Sequence, residues 1–276
     1  MNALLLGATG LLGGALAERL PKALPTCAAR PRSGEAPHHD RLRWLHTRLD
    51  ATDVRSLDEA LDEAQADVIV NTVGVTGAVG QDTALLATVN AQFPHRLAAR
   101  AAARGTRVIH ISTDGVFSGA RGGYDESDHP DPTDAYGRSK LAGEIGAPHL
   151  TIRTSFFGRT VRRTGVIEWL LAQRGRVEGF ADYRFTGIAV SILADLIATA
   201  AIAQPSLEGV YHVGGDPMSK YDLLRAVADR LRLEVQIAPV TYGPAIDRTL
   251  IANRFFAATG CPRPTLSDSV AALASA

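Results

Sequence analysis

Ala3-Leu-Leu-Leu6-Gly7-Ala-Thr-Gly10-Leu-Leu-Gly13 decides the fold. Four apolar residues read as a buried strand, three glycines as a tight turn, and Leu11 to Leu20 as a helix stopped by Pro21. Gly7 allows the turn, Gly10 lets a backbone approach a pyrophosphate, and Gly13 permits close helix–strand packing. The helix N-terminus then offers free N–H groups and a positive dipole end to an anion. The spacing is GxxGxxG and not the GxGxxG of the best-known dinucleotide fingerprint, so its position at the first β–α junction carries the weight.

Outward from this unit the alternation continues. Thr26–Ala29 and Arg43–His46 read as strands, and Ser56 as the cap of a helix to Ala64, with Glu59 completing a capping box. Asp67–Val70 reads as a strand, Thr83–Arg104 as a long helix closed by Gly105, and Arg107–Ile111 as a strand. A long polar segment, Ser112–Thr133, follows; a loop of that length in a compact unit is usually functional. Asp134 caps a helix to about Ile145, and His149–Arg153 is another strand. Helices are then expected at Val166–Arg174, Ile188–Ala203, Ser219–Leu231, Asn253–Thr259 and Leu266–Ala274, with a strand at Gly209–Val213 and a loop at Phe180–Gly187. The fold class is therefore α/β: a Rossmann-type, doubly wound parallel sheet with a smaller C-terminal substrate-binding lobe. The expected division is a dinucleotide-binding domain over 1–152 and mainly the lobe over 153–276, with some elements returning to the sheet.

With 276 residues, 46% of them hydrophobic, the chain can bury one large core, and its zero net charge favours neither nucleic acid nor an anionic membrane as partner. Cys27 and Cys261 lie far apart in apolar surroundings and form no metal or disulfide pattern. The stretch Ile188–Ala203 is too short and too interrupted to span a bilayer. Met1 leads directly into a strand with no basic leader, so the expected location is the cytoplasm.

An Asp or Glu at the end of the second strand would bind a ribose 2′-hydroxyl and repel a 2′-phosphate. Here stand Arg30-Pro-Arg32-Ser33, with no acid before Glu35, so the cofactor is expected to be NADP(H) more than NAD(H). Tyr136-Gly-Arg-Ser-Lys140 places a phenol and an ammonium one turn apart on one helix face. The ammonium is expected to lower the phenol's pKa and so tune it for proton transfer. The pattern is notable because lysine occurs only at Lys22, Lys140 and Lys220. Thr113, with Ser112 as alternate, sits where the fifth strand ends and can hold a substrate carbonyl.

Taken together, these motifs resemble the dTDP-4-dehydrorhamnose reductase family of extended short-chain dehydrogenases. The resemblance is carried by Gly7–Gly13, Val89-Asn90-Ala91, Ser112-Thr-Asp-Gly-Val-Phe-Ser-Gly119, Tyr124-Asp-Glu126, Asp131-Pro132 and Tyr136–Glu144, with weaker support from Ile152–Ser155 and Gly209–His212. It implies reduction of a 4-keto-6-deoxy sugar on a nucleoside diphosphate, with Thr113, Tyr136 and Lys140 catalytic. The implied cofactor set is Gly7, Thr9, Gly10, Leu11, Leu12, Gly13, Arg30, Asp50, Asn71, Val73, Asn90, Ser112, Tyr136 and Lys140. The implied substrate set is Gly115, Val116, Phe117, Arg153, Ser155 and Arg184, and Arg153, Arg184 and Arg248 are candidates for the diphosphate. No metal, nucleic acid or membrane is implied, and homodimers are common in such enzymes. The chain departs from the family at Gly115, where Tyr is usual, at Asn71–Gly77, at Phe156-Phe157, where Trp is common, and at Asp182–Gly187. These positions lie on the substrate side. Two other readings stay open: a nucleotide-sugar epimerase or dehydratase, with Asp114 as an extra acid–base group, and a non-catalytic dinucleotide-binding regulatory subunit.

Overall fold

A computed structural model describes residues 1–32, 34–36, 41–76, 82–159 and 165–274; the Ser33 and Gly77 positions noted above lie outside them. Seven parallel strands form the main sheet in the order β11-β6-β5-β4-β1-β2-β3. They are β1 (Ala3–Leu6), β2 (Thr26–Pro31), β3 (Arg43–Leu49), β4 (Val68–Asn71), β5 (Arg107–Ile111), β6 (Leu150–Thr154) and β11 (Gly209–Val213). The order reverses between β1 and β4, which opens a crevice at their carboxyl ends, as ligand sites in open α/β sheets require.

One face of the sheet packs on α1 (Leu11–Ala23) and on α7 (Val190–Asp195) with its continuation Leu196–Ala201; the other packs on α2 (Val54–Ala64) and α4 (Phe93–Ala102). Helix α1 buries Leu12, Gly13, Leu16, Ala17 and Leu20, a stripe at helical spacing, and runs past Pro21 to Ala23. Pro21 sits in the last turn, where its missing N–H forfeits one bond and Leu24 N–H closes the helix on the Leu20 carbonyl at 2.9 Å. The expected cap at Ser56 is overturned. Asp53 caps α2 by accepting from Arg55 N–H at 3.0 Å, and Ser56 turns back to the Asp50 and Asp53 carbonyls.

The long helix is interrupted. Between α3 (Thr83–Leu86) and α4, Ala87–Gln92 forms a wider π-helical turn that carries Asn90 inward. Helix α5 (Ala135–Ala142) is capped by Asp134, as expected, and packs close on this turn: a Cβ at Gly143 would overlap the Asn90 carbonyl.

Beyond β6 the chain builds short sheets missed in the sequence. These are β7 (Phe156–Phe157) with β10 (Ile188–Ala189), β8 (Gly175–Phe180) with β13 (Val235–Val240), and β9 (Tyr183–Phe185) between β12 (Met218–Ser219) and β14 (Ile246–Asp247). The segment expected as the loop Phe180–Gly187 thus holds a strand. With α6 (Val166–Leu171), α8 (Lys220–Leu231) and α10 (Leu266–Ala274), these elements share a separate core around Phe157, Leu170, Phe185 and Val227. Strand β11 rejoins the main sheet beside β6, and α9 (Asn253–Thr259) lies against it.

Candidate functional site

The glycine turn has the geometry of a phosphate cradle. Gly7 takes φ +86°, where a side chain would also strike Thr72, and a Cβ at Gly13 would overlap the Gly7 carbonyl. Gly10 caps α1 without a side-chain partner among the described residues, and a Cβ there would meet nothing nearer than the Gly7 carbonyl at 3.4 Å. Uncapped first-turn N–H groups beneath open space are what a pyrophosphate needs. Beside them a cavity of about 180 Å³ is lined by Gly7, Thr9, Arg30, Arg32, Leu49 and Val73. Arg30 Nε donates to the Leu45 carbonyl at 2.7 Å, which fixes that guanidinium on the cavity wall. Arg32, the other basic group, pairs with Asp50 at 3.2 Å, and Asp50 also accepts from Thr52 N–H and hydroxyl. These residues fit the adenosine end of NADP(H), with two guanidinium groups on its wall.

Two expected cofactor contacts turn inward. Asn71 is fully buried; its Oδ1 accepts from Val73 N–H at 3.1 Å and its amide donates to His110 Nδ1 at 3.0 Å. Asn90, also fully buried, clamps the Val75 backbone in both directions and donates to Ser139 Oγ at 3.0 Å. Both shape the crevice floor through the backbone. Ser112 is likewise engaged, donating to Glu144 Oε1 at 2.7 Å.

At the end of β5, Thr113 caps a short 3-10 turn, Asp114–Val116, and its Oγ1 accepts from Gly115 N–H at 3.0 Å. Thr113 Oγ1 also donates to Asp114 Oδ1 at 3.2 Å and lies near enough to the Tyr136 phenol to favour its ionised form. The phenol does not follow the sequence expectation: burial, with the Asp114 and Asp134 charges adding, pushes it up to about 12, and Thr113 only partly offsets them. Lys140 is not turned on the phenol; its Nζ donates to the Ile111 carbonyl at 2.6 Å and lies 3.4 Å from His110 Nε2. Burial lowers the Lys140 ammonium to about 8, opposed by Glu144. Tyr136 therefore stays a loaded proton donor at neutral pH.

The same centre gathers Asp114 and Arg248, which the sequence offered as an acid–base group and a diphosphate candidate, together with Tyr183 and Lys220, which it did not. Asp114 is buried and pushed up to about 6, against the opposing influence of Arg248, Thr113, Lys220 and Ser155. Arg248, one of the three arginine candidates, approaches the Tyr183 hydroxyl at 3.4 Å and Asp134 at 3.8 Å, and a Cβ at Gly115 would lie 3.7 Å from its Nη1. Tyr183 and Lys220 were missed because β9 and β12 bring them in from far along the chain. The available signal was the scarcity of lysine.

Three expected substrate contacts are packed into the protein interior. Val116 and Phe117 are fully buried, and the Phe117 ring stacks on Tyr124 at 4.2 Å between centroids. Arg153 is spent on Glu144 through two 2.8 Å bonds, with its guanidinium over the Phe117 ring. Arg184 is half-exposed on β9, 3.6 Å from Asp247. Among the described residues no group of three His, Cys, Asp or Glu could hold a metal ion, and no helix is long and apolar enough to cross a membrane.

Residues 1–248 match the family model described as the RmlD substrate binding domain. The dTDP-4-dehydrorhamnose reductase of Mycobacterium tuberculosis is 31% identical over 73% of this chain and 71% of its own length. The chain belongs to the dTDP-4-dehydrorhamnose reductase family. The probable low-salt glycan biosynthesis reductase Agl14 of Haloferax volcanii is 29% identical over 100% of this chain and 98% of its own. The fold matches that of the Bacillus anthracis dTDP-4-dehydrorhamnose reductase solved in complex with NADP, with a TM-score of 0.82 at 22% identity over 99% and 98% of the two chains.

Proposed function

We propose that this chain is an NADPH-dependent reductase of a 4-keto sugar carried on a nucleoside diphosphate. The observation that carries it is the half-buried Tyr136 phenol held beside Thr113 and Asp114 at the carboxyl end of β5. NADPH, when bound, supplies the hydride; the glycine turn and α1 hold its diphosphate, and Arg30 and Arg32 face its adenosine end. Thr113 positions the substrate carbonyl oxygen, and Tyr136 protonates that oxygen as negative charge develops on it. A phenol with a pKa near 12 keeps its proton at neutral pH and yields it to the much more basic alkoxide that hydride addition creates. Lys140 stays one turn away at the Ile111 carbonyl, where its ammonium suits a nicotinamide ribose.

In this reading residues 1–152 form the dinucleotide unit and 153–276 mainly the substrate lobe, and the protein works in the cytoplasm as a homodimer. The test is loss of nicotinamide absorbance when the protein meets NADPH and a panel of nucleotide-linked 4-keto sugars. Tight NADPH binding with no turnover of any such sugar would instead support a regulatory subunit, and light scattering checks the dimer.

A further inference from the structure

Lys220 is the first residue of α8, and its ammonium lies over the Tyr183 ring at 4.6 Å and the Phe185 ring at 5.7 Å. It is half-buried, and burial lowers its pKa, opposed by Asp114 and reinforced by Arg248. Among the described residues no carboxylate lies within ion-pair distance of Nζ, and Nζ makes no hydrogen bond; its three N–H donors are uncommitted. A half-buried ammonium with no acceptor in the protein is available to an anionic ligand.

The position of this cation indicates which ligand. On one side it feels Asp114, which touches Thr113 beside Tyr136. On the other it lines a groove of about 680 Å³ between α6, β8 and α8, large enough for a small ligand. The groove carries the exposed rings of Trp169 and Phe180, flat apolar faces of the kind on which a base stacks, and the guanidinium of Arg176. Its one acid, Glu178, accepts from the Tyr242 hydroxyl at 2.8 Å. Lys220 thus lies between Asp114, beside Thr113, and the groove that it lines. A nucleoside diphosphate sugar has its sugar at one end, its base at the other and its negative charge between them.

We propose that Lys220 is the cation that receives the diphosphate of the sugar nucleotide, with the base in the Trp169–Phe180 groove. This rests on the reductase reading and assigns to Lys220 the role that the sequence offered to Arg153, Arg184 and Arg248.

The test is calorimetric titration of the NADPH-saturated protein, whose dinucleotide site is filled, with dTDP and UDP and separately with thymidine and uridine. Lys220→Met should weaken the bound diphosphate by roughly 10- to 100-fold, the range of a charge-assisted hydrogen bond, and leave the nucleoside unchanged. Lys220→Arg should keep most of the diphosphate affinity. Equal diphosphate affinity in Lys220→Met and wild type would overturn the proposal, as would parallel loss of nucleoside and diphosphate. Unchanged NADPH affinity certifies the fold of the variant. If Lys220→Met loses it, Lys220→Gln is measured, and loss in both would make Lys220 a structural residue and end the proposal. Failure of the wild-type protein to bind either diphosphate would instead overturn the nucleotide-sugar reading itself.

Discussion

Replacing Arg153 by methionine should destabilise the protein severely while leaving its affinity for substrate intact. Its guanidinium makes two 2.8 Å bonds to Glu144, and the two side chains are only 6% and 8% exposed. Methionine fills much of the volume but leaves the Glu144 carboxylate with the Ser112 hydroxyl as its one hydrogen-bond partner among the described residues. Removing one member of a buried ion pair costs about 3–5 kcal/mol, because the other charge is left uncompensated. For a chain of this size each kcal/mol moves Tm by about 2–4 °C, so the expected drop is about 6–20 °C in circular dichroism melts. Glu144→Gln in the same chain should recover part of that loss, since the two side chains are directly coupled. The substrate KM, measured well below the lowered melting point, should stay within about twofold of wild type, less than a lost charge-assisted contact would give. A Tm within about 2 °C of wild type, well short of that drop, together with a KM raised tenfold would refute this reasoning and return Arg153 to the ligand.

Four further outcomes follow from the same geometry. Tyr136→Phe should cut kcat by about 10²–10⁴ while NADPH affinity, read by fluorescence titration, holds; near-normal turnover would remove the phenol from proton transfer. Asp114 titrates near 6 when folded against 3.8 for the free group, so its contribution to stability is complete below about pH 4 and is lost as pH rises through 6. Asp114→Asn should therefore match wild type in Tm at pH 4 and exceed it at pH 8 by about 3 kcal/mol equivalent, and a pH-independent difference would contradict the shift. Arg30→Asp should weaken NADPH far more than NADH, with equal loss of both removing Arg30 from cofactor choice. Gly13→Ala forces a methyl group into the Gly7 carbonyl and should lower stability by about 1–3 kcal/mol and weaken NADPH, seen as a smaller ligand-induced rise in Tm.

What could be read from the sequence was whatever is encoded locally. Strands β5 and β11 and helices α9 and α10 fall where apolar runs and glycine stops put them, and Asp134 caps α5 as its position suggests. At the second helix the sequence pointed to Ser56 as the cap, but Asp53 caps it and the hydroxyl of Ser56 is drawn back to the Asp50 carbonyl. Strand β8 is mostly exposed and lacks alternation; it exists because β13, far along the chain, pairs with it. The Thr113–Tyr136–Lys140 positions carried a spacing signal, but the direction of the phenol's shift depends first on its own desolvation and then on the Asp114 charge beside it, which no local pattern records. Arg153, Arg184 and Arg248 are chemically identical in the sequence. Only the fold shows that the first is consumed by Glu144 and the third faces Asp114.

The polar segment after β5 is stitched to the far end of the chain. Tyr124 N–H donates to the Thr249 carbonyl at 2.9 Å, Ile251 N–H to the Tyr124 carbonyl at 2.7 Å, and Asp247 N–H to the Gly119 carbonyl at 2.7 Å. Such a seam makes Thr113 and Arg248 parts of one plate. Any breathing that admits a ligand has to bend the molecule elsewhere, and damage to the seam would reach the reacting atoms as misalignment long before it opened a gap.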